Sequence, residues 1–121
     1  MFKENSKAIY LQIADRICND ILSGEYAAGA RMPSVREYAA LVEVNPNTVM
    51  RTYEYLADNN IIFTRRGIGF FVDDNAIQTV HAIKADQFVN GELPGVFDQL
   101  HLHGISPDQL KTMYNDYLKT K

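Results

Sequence analysis

The chain has one cysteine, no long apolar run and no surplus of positive charge, and each shortage excludes something. Cys18 is the only cysteine in 121 residues, so no intramolecular disulfide and no cysteine-rich zinc site can form. It follows Ile17 in an apolar stripe, where a cysteine is expected to pack as a small hydrophobe rather than act as a redox sensor. The longest apolar run, Tyr38 to Val42, is far short of the ~20 residues of a membrane span. Met1 to Lys7 carries no apolar signal segment, so the expectation is a cytoplasmic protein with no membrane partner. A 46% hydrophobic content is that of a folded globular chain, large enough for one domain, or for a small domain with an appendage.

The net charge is −3, and neither part of the chain escapes it. Residues 1–73 hold eight Lys/Arg against nine Asp/Glu, and residues 74–121 hold four against six. Any attraction to phosphate must therefore come from local placement, which argues against tight non-specific binding to nucleic acid. Catalytic groupings are missing too. There is no glycine-rich phosphate loop and no Ser or Cys nucleophile with an identifiable base, so an enzyme is not expected. His101 and His103 stand at i and i+2, which on a helix points them about 200° apart. With His81 as the third histidine, a metal-responsive regulator is a minor reading, and no cofactor or metal is expected.

What is present is periodicity with punctuation. Ile9, Ile13, Ile17 and Ile21, widened by Ala14 and Leu22, predict an amphipathic helix from about Lys7 to Ser23, stopped at Gly24. Tyr26 to Met32 reads as a connection. Ser34 and Glu37 have the spacing of a capping box, opening a second helix buried through Tyr38, Ala39, Leu41 and Val42. Asn45-Pro46-Asn47 makes a turn into a third helix that runs to about Asn59. On that helix Val49, Tyr53 and Leu56 share one face, while Asn47, Thr48, Arg51, Glu54 and Tyr55 lie opposite. Ile61 to Thr64 and Phe70 to Val72 are strand-like, and Gly67 and Gly69 between them permit a tight hairpin.

The remainder reads as helical. Ile77, Val80, Ile83 and Phe88 suggest one helix, with a kink or break at Asn90-Gly91 and Pro94. Leu93, Val96, Phe97 and Leu100 continue the apolar side until Gly104. Ser106 and Pro107 then open a last helix bearing the stripe Leu110, Met113, Tyr114, Tyr117 and Leu118. Asp73-Asp74 reads as a helix-starting acidic pair.

Two short helices joined by a turn and followed by a basic hairpin have the layout of a winged helix-turn-helix, whose second helix reaches base edges. Asn47 can pair with adenine, Thr48 can touch a thymine methyl or a phosphate, and Arg51 and Arg36 can read guanine or grip phosphate. Arg66 and Gly67, at the hairpin tip, can meet a flanking phosphate or the minor groove. The fold class expected is mainly α with a small β-hairpin wing: a winged helix-turn-helix at 1–73 and a C-terminal helical dimerisation segment at 74–121.

Ile9-Tyr10-Leu11-Gln12-Ile13, Gly24-Glu25-Tyr26, Gly29 to Glu37, Asn47-Thr48-Val49 and Arg66 to Val72 together resemble the GntR family of bacterial transcription regulators, in its order and spacing. The resemblance implies a dimeric winged-helix regulator bound to an inverted-repeat operator on double-stranded DNA. With fewer than 50 residues left for a C-terminal part, the chain resembles the YtrA-like subfamily, whose short helical tail serves dimerisation. By resemblance, DNA contacts fall on Ser34, Arg36, Asn45, Asn47, Thr48, Arg66 and Gly67, with Arg51 added from the helical wheel. Pro46 stands where many members carry a basic residue, which shifts weight to Arg36, Asn47 and Arg51. The dimer is expected to use Phe88, Val96, Phe97, Leu100, Leu110, Met113, Tyr114 and Tyr117. A small-molecule effector between subunits fits such a tail, but no residue points to one. A repressor is favoured over an activator, and the competing function is a winged helix that binds protein instead of DNA.

Overall fold

The computed structural model describes residues 7–121; Met1 to Ser6, and with them most of the segment searched for a signal, lie outside the described residues. The chain forms two compact units that divide between Ala82 and Ile83.

In the first unit, α1 (Ile9–Leu22) buries Ile13, Ala14, Ile17, Cys18 and Ile21, the stripe its four-residue spacing demands. Gly24, at φ +87°, ends it with a left-handed turn that a residue with a Cβ would resist. α2 (Val35–Val42) opens with the reciprocal cap expected: Ser34 Oγ accepts from Glu37 N at 3.1 Å, and Glu37 Oε1 accepts from Ser34 N at 2.9 Å. The Ser34 backbone amide, and then its side chain, hold the Glu37 carboxyl below its usual range. Leu41 departs from expectation. It is 65% exposed, because an eight-residue helix buries one narrow stripe, here Tyr38, Ala39 and Val42, and at about 100° per residue Leu41 falls on its flank.

Glu43 takes the left-handed conformation (φ 58°) and lets Val44 N return to Ala39 O, which turns the chain sharply. Asn45 then caps α3 (Pro46–Asp58), its Oδ1 accepting from Asn47 N at 2.8 Å. Pro46 fits the first helical position, where no backbone donor is needed. Val49, Tyr53 and Leu56 are fully buried, each contributing roughly 1.5–3 kcal/mol of apolar burial. Thr52 is fully buried among them, its hydroxyl placed to bond Tyr10 O at 2.8 Å and Thr48 O at 3.1 Å.

Strands β1 (Ile62–Arg65) and β2 (Gly69–Val72) pair antiparallel, from Ile62 opposite Val72 to Arg65 opposite Gly69. The connection before α2 does more than connect. Gly29 N bonds Val72 O, Val72 N bonds Ala30 O, Met32 N bonds Phe70 O, and Arg31 bridges Phe71. The outer edge of the wing is thereby covered by the lead-in to α2, so its backbone groups do not stand open. Asp73 and Asp74 fall just ahead of α4 (Ala76–Gln87) rather than in its first turn, with Asp73 Oδ1 accepting from Asn75 N at 2.9 Å.

α4 crosses the boundary into the second unit, where a five-residue π-helical turn, Phe88–Glu92, leads to α5 (Leu93–Leu102). The expected kink or break at Asn90-Gly91 and Pro94 takes the form of this widened turn, in which Leu93 N bonds Phe88 O. Pro94 has no N–H and its ring crowds the preceding turn; one extra residue in the turn relieves the crowding without ending the helix. Gly104 (φ +69°) closes α5, and Ser106 caps α6 (Pro107–Leu118) through Gln109 N at 3.1 Å. No residue of α5 or α6 is buried.

Candidate nucleic-acid interface

The helix-turn-helix sets α3 after α2 by two short-range devices already described, the left-handed Glu43 and the Asn45 cap. A longer-range tie joins them: Tyr53, from the buried face of α3, donates to Pro33 O at 2.7 Å, just ahead of the α2 cap. On the opposite face Asn47, Arg51 and Glu54 are exposed, while Thr48 and Tyr55 are half-buried.

Arg36 projects from α2 and is exposed, with no hydrogen-bond or ion-pair partner among the described residues. It lines a shallow depression with Ala39, Ala40, Glu43, Val44 and Pro46, at the junction of α2 and α3. Asn47, Thr48 and Arg51 line a second groove with Ala8, Ile9 and Tyr10 of the α1 start. Five of the sequence-predicted residues, Arg36, Asn45, Asn47, Thr48 and Arg51, thus lie on or at the start of adjoining helices. Ser34 and Asn45 already serve as caps, and their side-chain oxygens accept from backbone amides.

The two arginines of the wing are distinguished by their surroundings. Arg65 lies over the stacked pair Phe63–Phe71, 5.2 Å from the Phe71 ring centroid and 5.9 Å from that of Phe63. Arg66 is exposed at the turn, with no partner among the described residues. Gly67 has φ +76° and Ile68 N bonds Arg65 O at 2.9 Å, closing the turn. Nothing lies within 4 Å of a Cβ added at Gly67, so glycine is required there for its dihedral, not for space.

Arg31, which the sequence did not single out, donates from Nη2 to Ile68 O at 2.7 Å, and a Cβ on Gly69 would stand 3.4 Å from its Nε. Its place in the connection before α2 offered no signal, because the partner lies 37 residues onward. Tyr10 was missed for a similar reason: its ring carries the Arg51 guanidinium at 4.0 Å, a pairing between two helices. Among the described residues no group of three His, Cys, Asp or Glu could hold a metal ion. No described helix is long and apolar enough to cross a membrane.

A capped helix, a sharp turn, a second helix with an outward polar face and a hairpin with an exposed arginine at its turn make a winged helix-turn-helix, the class that reads duplex DNA. The chain belongs to the GntR family of bacterial regulatory proteins, whose family model matches residues 9–72. It is 38% identical over 107 residues to the HTH-type transcriptional regulator YhcF of Bacillus subtilis, covering 88% of this chain and 87% of that one. It is 33% identical over 106 residues to the HTH-type transcriptional repressor YtrA of the same organism, covering 88% of this chain and 81% of that one. A GntR-family regulator from Bacteroides thetaiotaomicron shares the fold with a TM-score of 0.81 and 49% identity, covering 93% of this chain and 98% of that one. The protein is therefore a DNA-binding transcriptional regulator and not an enzyme, mainly α with a small β-hairpin wing and a C-terminal helical segment.

Proposed function

We propose that the chain acts in the cytoplasm as a homodimeric repressor that binds an inverted-repeat operator. In this reading residues 1–73 read DNA and residues 74–121 hold the two copies together. The observation that carries it is the second unit's lack of a core. Phe88, Val96, Phe97, Leu110, Met113, Tyr114 and Tyr117 are all exposed, Leu100 is half-covered, and nothing in α5 or α6 is buried. So much apolar area on two helices is stable only when another surface covers it, and a second copy of the same unit is self-complementary by symmetry. Repression is supported by the name of the YtrA relative.

Each copy would insert the start of α3 into a major groove. Asn47, Thr48 and Arg51 face base edges, and Arg36, Ser34 and Asn45 the adjoining backbone. Arg66 and the Gly67 amide approach the flanking minor groove. Two such heads bind half-sites about one helical turn or more apart. A small-molecule effector would find an apolar cleft between α5 and α6, beside Phe97, Leu100, His101, Ile105, Pro107 and Leu110.

Selection from a randomised duplex library, followed by footprinting, tests the operator; light scattering after size exclusion tests the assembly. Two inverted half-sites and a dimer mass are expected. A monomer mass at micromolar concentration, or a single unrepeated site, overturns the proposal.

A further inference from the structure

Arginine on a long stem is a costly choice for reading a base, because every rotamer it explores in the free protein must be lost on binding. Here that freedom is already restricted. The Arg51 guanidinium lies 4.0 Å from the centroid of the Tyr10 ring, within cation–π range. Tyr10 is itself held in place through its backbone and its ring. The buried Thr52 hydroxyl bonds the Tyr10 carbonyl at 2.8 Å, Tyr55 meets the ring edge-on at 6.3 Å, and α1 packs along α3. Thr48, Arg51, Thr52 and Tyr55 belong to one helix, so α3 grips the start of α1 through Thr52 and Tyr55 and receives in return a platform for Arg51.

From this geometry we propose that Tyr10 is a positioning residue for DNA reading: its ring holds Arg51 in the groove shared with Asn47 and Thr48, which makes the start of α1 a working part of the reading head. This rests on the DNA-reading face proposed above. The role belongs to the ring and not to the hydroxyl, and that separates it from a direct contact between Tyr10 and a phosphate.

The test uses the full chain and the duplex recovered by library selection with the unmodified protein, titrated by fluorescence anisotropy at one salt concentration. Tyr10→Phe keeps the platform, and its affinity stays within about twofold. Tyr10→Leu keeps apolar bulk but loses the ring face, and affinity falls about fivefold. In an Arg51→Ala background Tyr10→Leu produces no further loss, since the two act as one unit. A second readout needs no DNA. The Arg51 Nε–H proton resonance is displaced by the ring current in the unmodified protein and in Tyr10→Phe, and returns to the ordinary arginine position in Tyr10→Leu. A Phe variant as damaged as the Leu variant, a Leu effect undiminished without Arg51, or an undisplaced Arg51 resonance each overturns the proposal. If no duplex is enriched, the DNA-reading face fails instead, while the resonance still decides whether the platform exists.

Discussion

Two tyrosines in the core of the helix-turn-helix make opposite predictions from the same chemical change. Tyr38 and Tyr53 are almost fully buried, with ring centroids 6.2 Å apart. The Tyr53 hydroxyl donates to Pro33 O at 2.7 Å, whereas the Tyr38 hydroxyl is buried with no hydrogen-bond partner among the described residues. Replacement by Phe removes one oxygen from each. For Tyr53 it deletes a made bond and strands the Pro33 carbonyl, a loss of about 1 kcal/mol or somewhat more. For Tyr38 it deletes an unsatisfied polar atom, whose burial costs about 1–3 kcal/mol, so Tyr38→Phe gains about 1 kcal/mol after local relaxation. A chain of this length shifts its midpoint by about 4 °C per kcal/mol, so the two variants should differ by about 8 °C. Calorimetry and urea titration at one fixed protein concentration measure this, concentration being held because assembly adds to apparent stability. Equal destabilisation by both substitutions would refute the reasoning. Alkali offers an independent check. Burial pushes the Tyr38 phenol up from 10.0 to about 12 and raises that of Tyr53 as well. The native state keeps a proton that the unfolded chain releases at about 10. The stabilisation is therefore whole below pH 10 and is lost as pH rises through the native value. Stability should fall from about pH 10 upward, with a shallower slope in Tyr38→Phe.

Thr52→Val removes the hydroxyl that bonds the Tyr10 carbonyl and should cost about 1 kcal/mol in urea titration; an unchanged midpoint would deny that this bond ties α1 to α3. Arg66→Ala should weaken binding and lower the salt slope by about 0.9 log units per log unit of salt, the loss of one phosphate contact. Arg65→Ala, whose charge lies on the Phe63–Phe71 pair, should leave that slope nearly unchanged; salt titration of both variants compares them directly. Phe97→Glu combined with Tyr114→Glu should yield a monomer by sedimentation and lower operator affinity more than tenfold at equal concentration. A dimer that persists with both charges present would place the interface elsewhere.

Much of the architecture was legible because its causes are local. The four-residue spacing of Ile9 to Ile21 already specified the buried face of α1. Ser34 with Glu37, and Asn45 with Pro46, marked where α2 and α3 begin, since a cap is satisfied within one turn of the chain. Gly67 marked the wing turn through its need for a positive φ. Legibility weakened wherever an outcome depended on what lies alongside. Leu41 was apolar and adjoined a buried run, yet a short helix turned it outward. Pro94 suggested a break, but the preceding turn widened to accept it.

The sequence by itself thus determined the helices, their caps, the wing and the residues on the outward face of α3, all consequences of spacing over a few residues. Only the tertiary structure decided which of the exposed arginines are engaged by a ring or a carbonyl and which have no partner among the described residues. Arg51 rests on Tyr10, Arg31 holds the wing through Ile68, Arg65 lies on a phenylalanine pair, and Arg36 and Arg66 are exposed with no partner among the described residues. Five arginines look alike in a sequence because each carries the same charge. They differ in the folded chain because the rings and carbonyls that engage them come from elements brought together only by burial of the core.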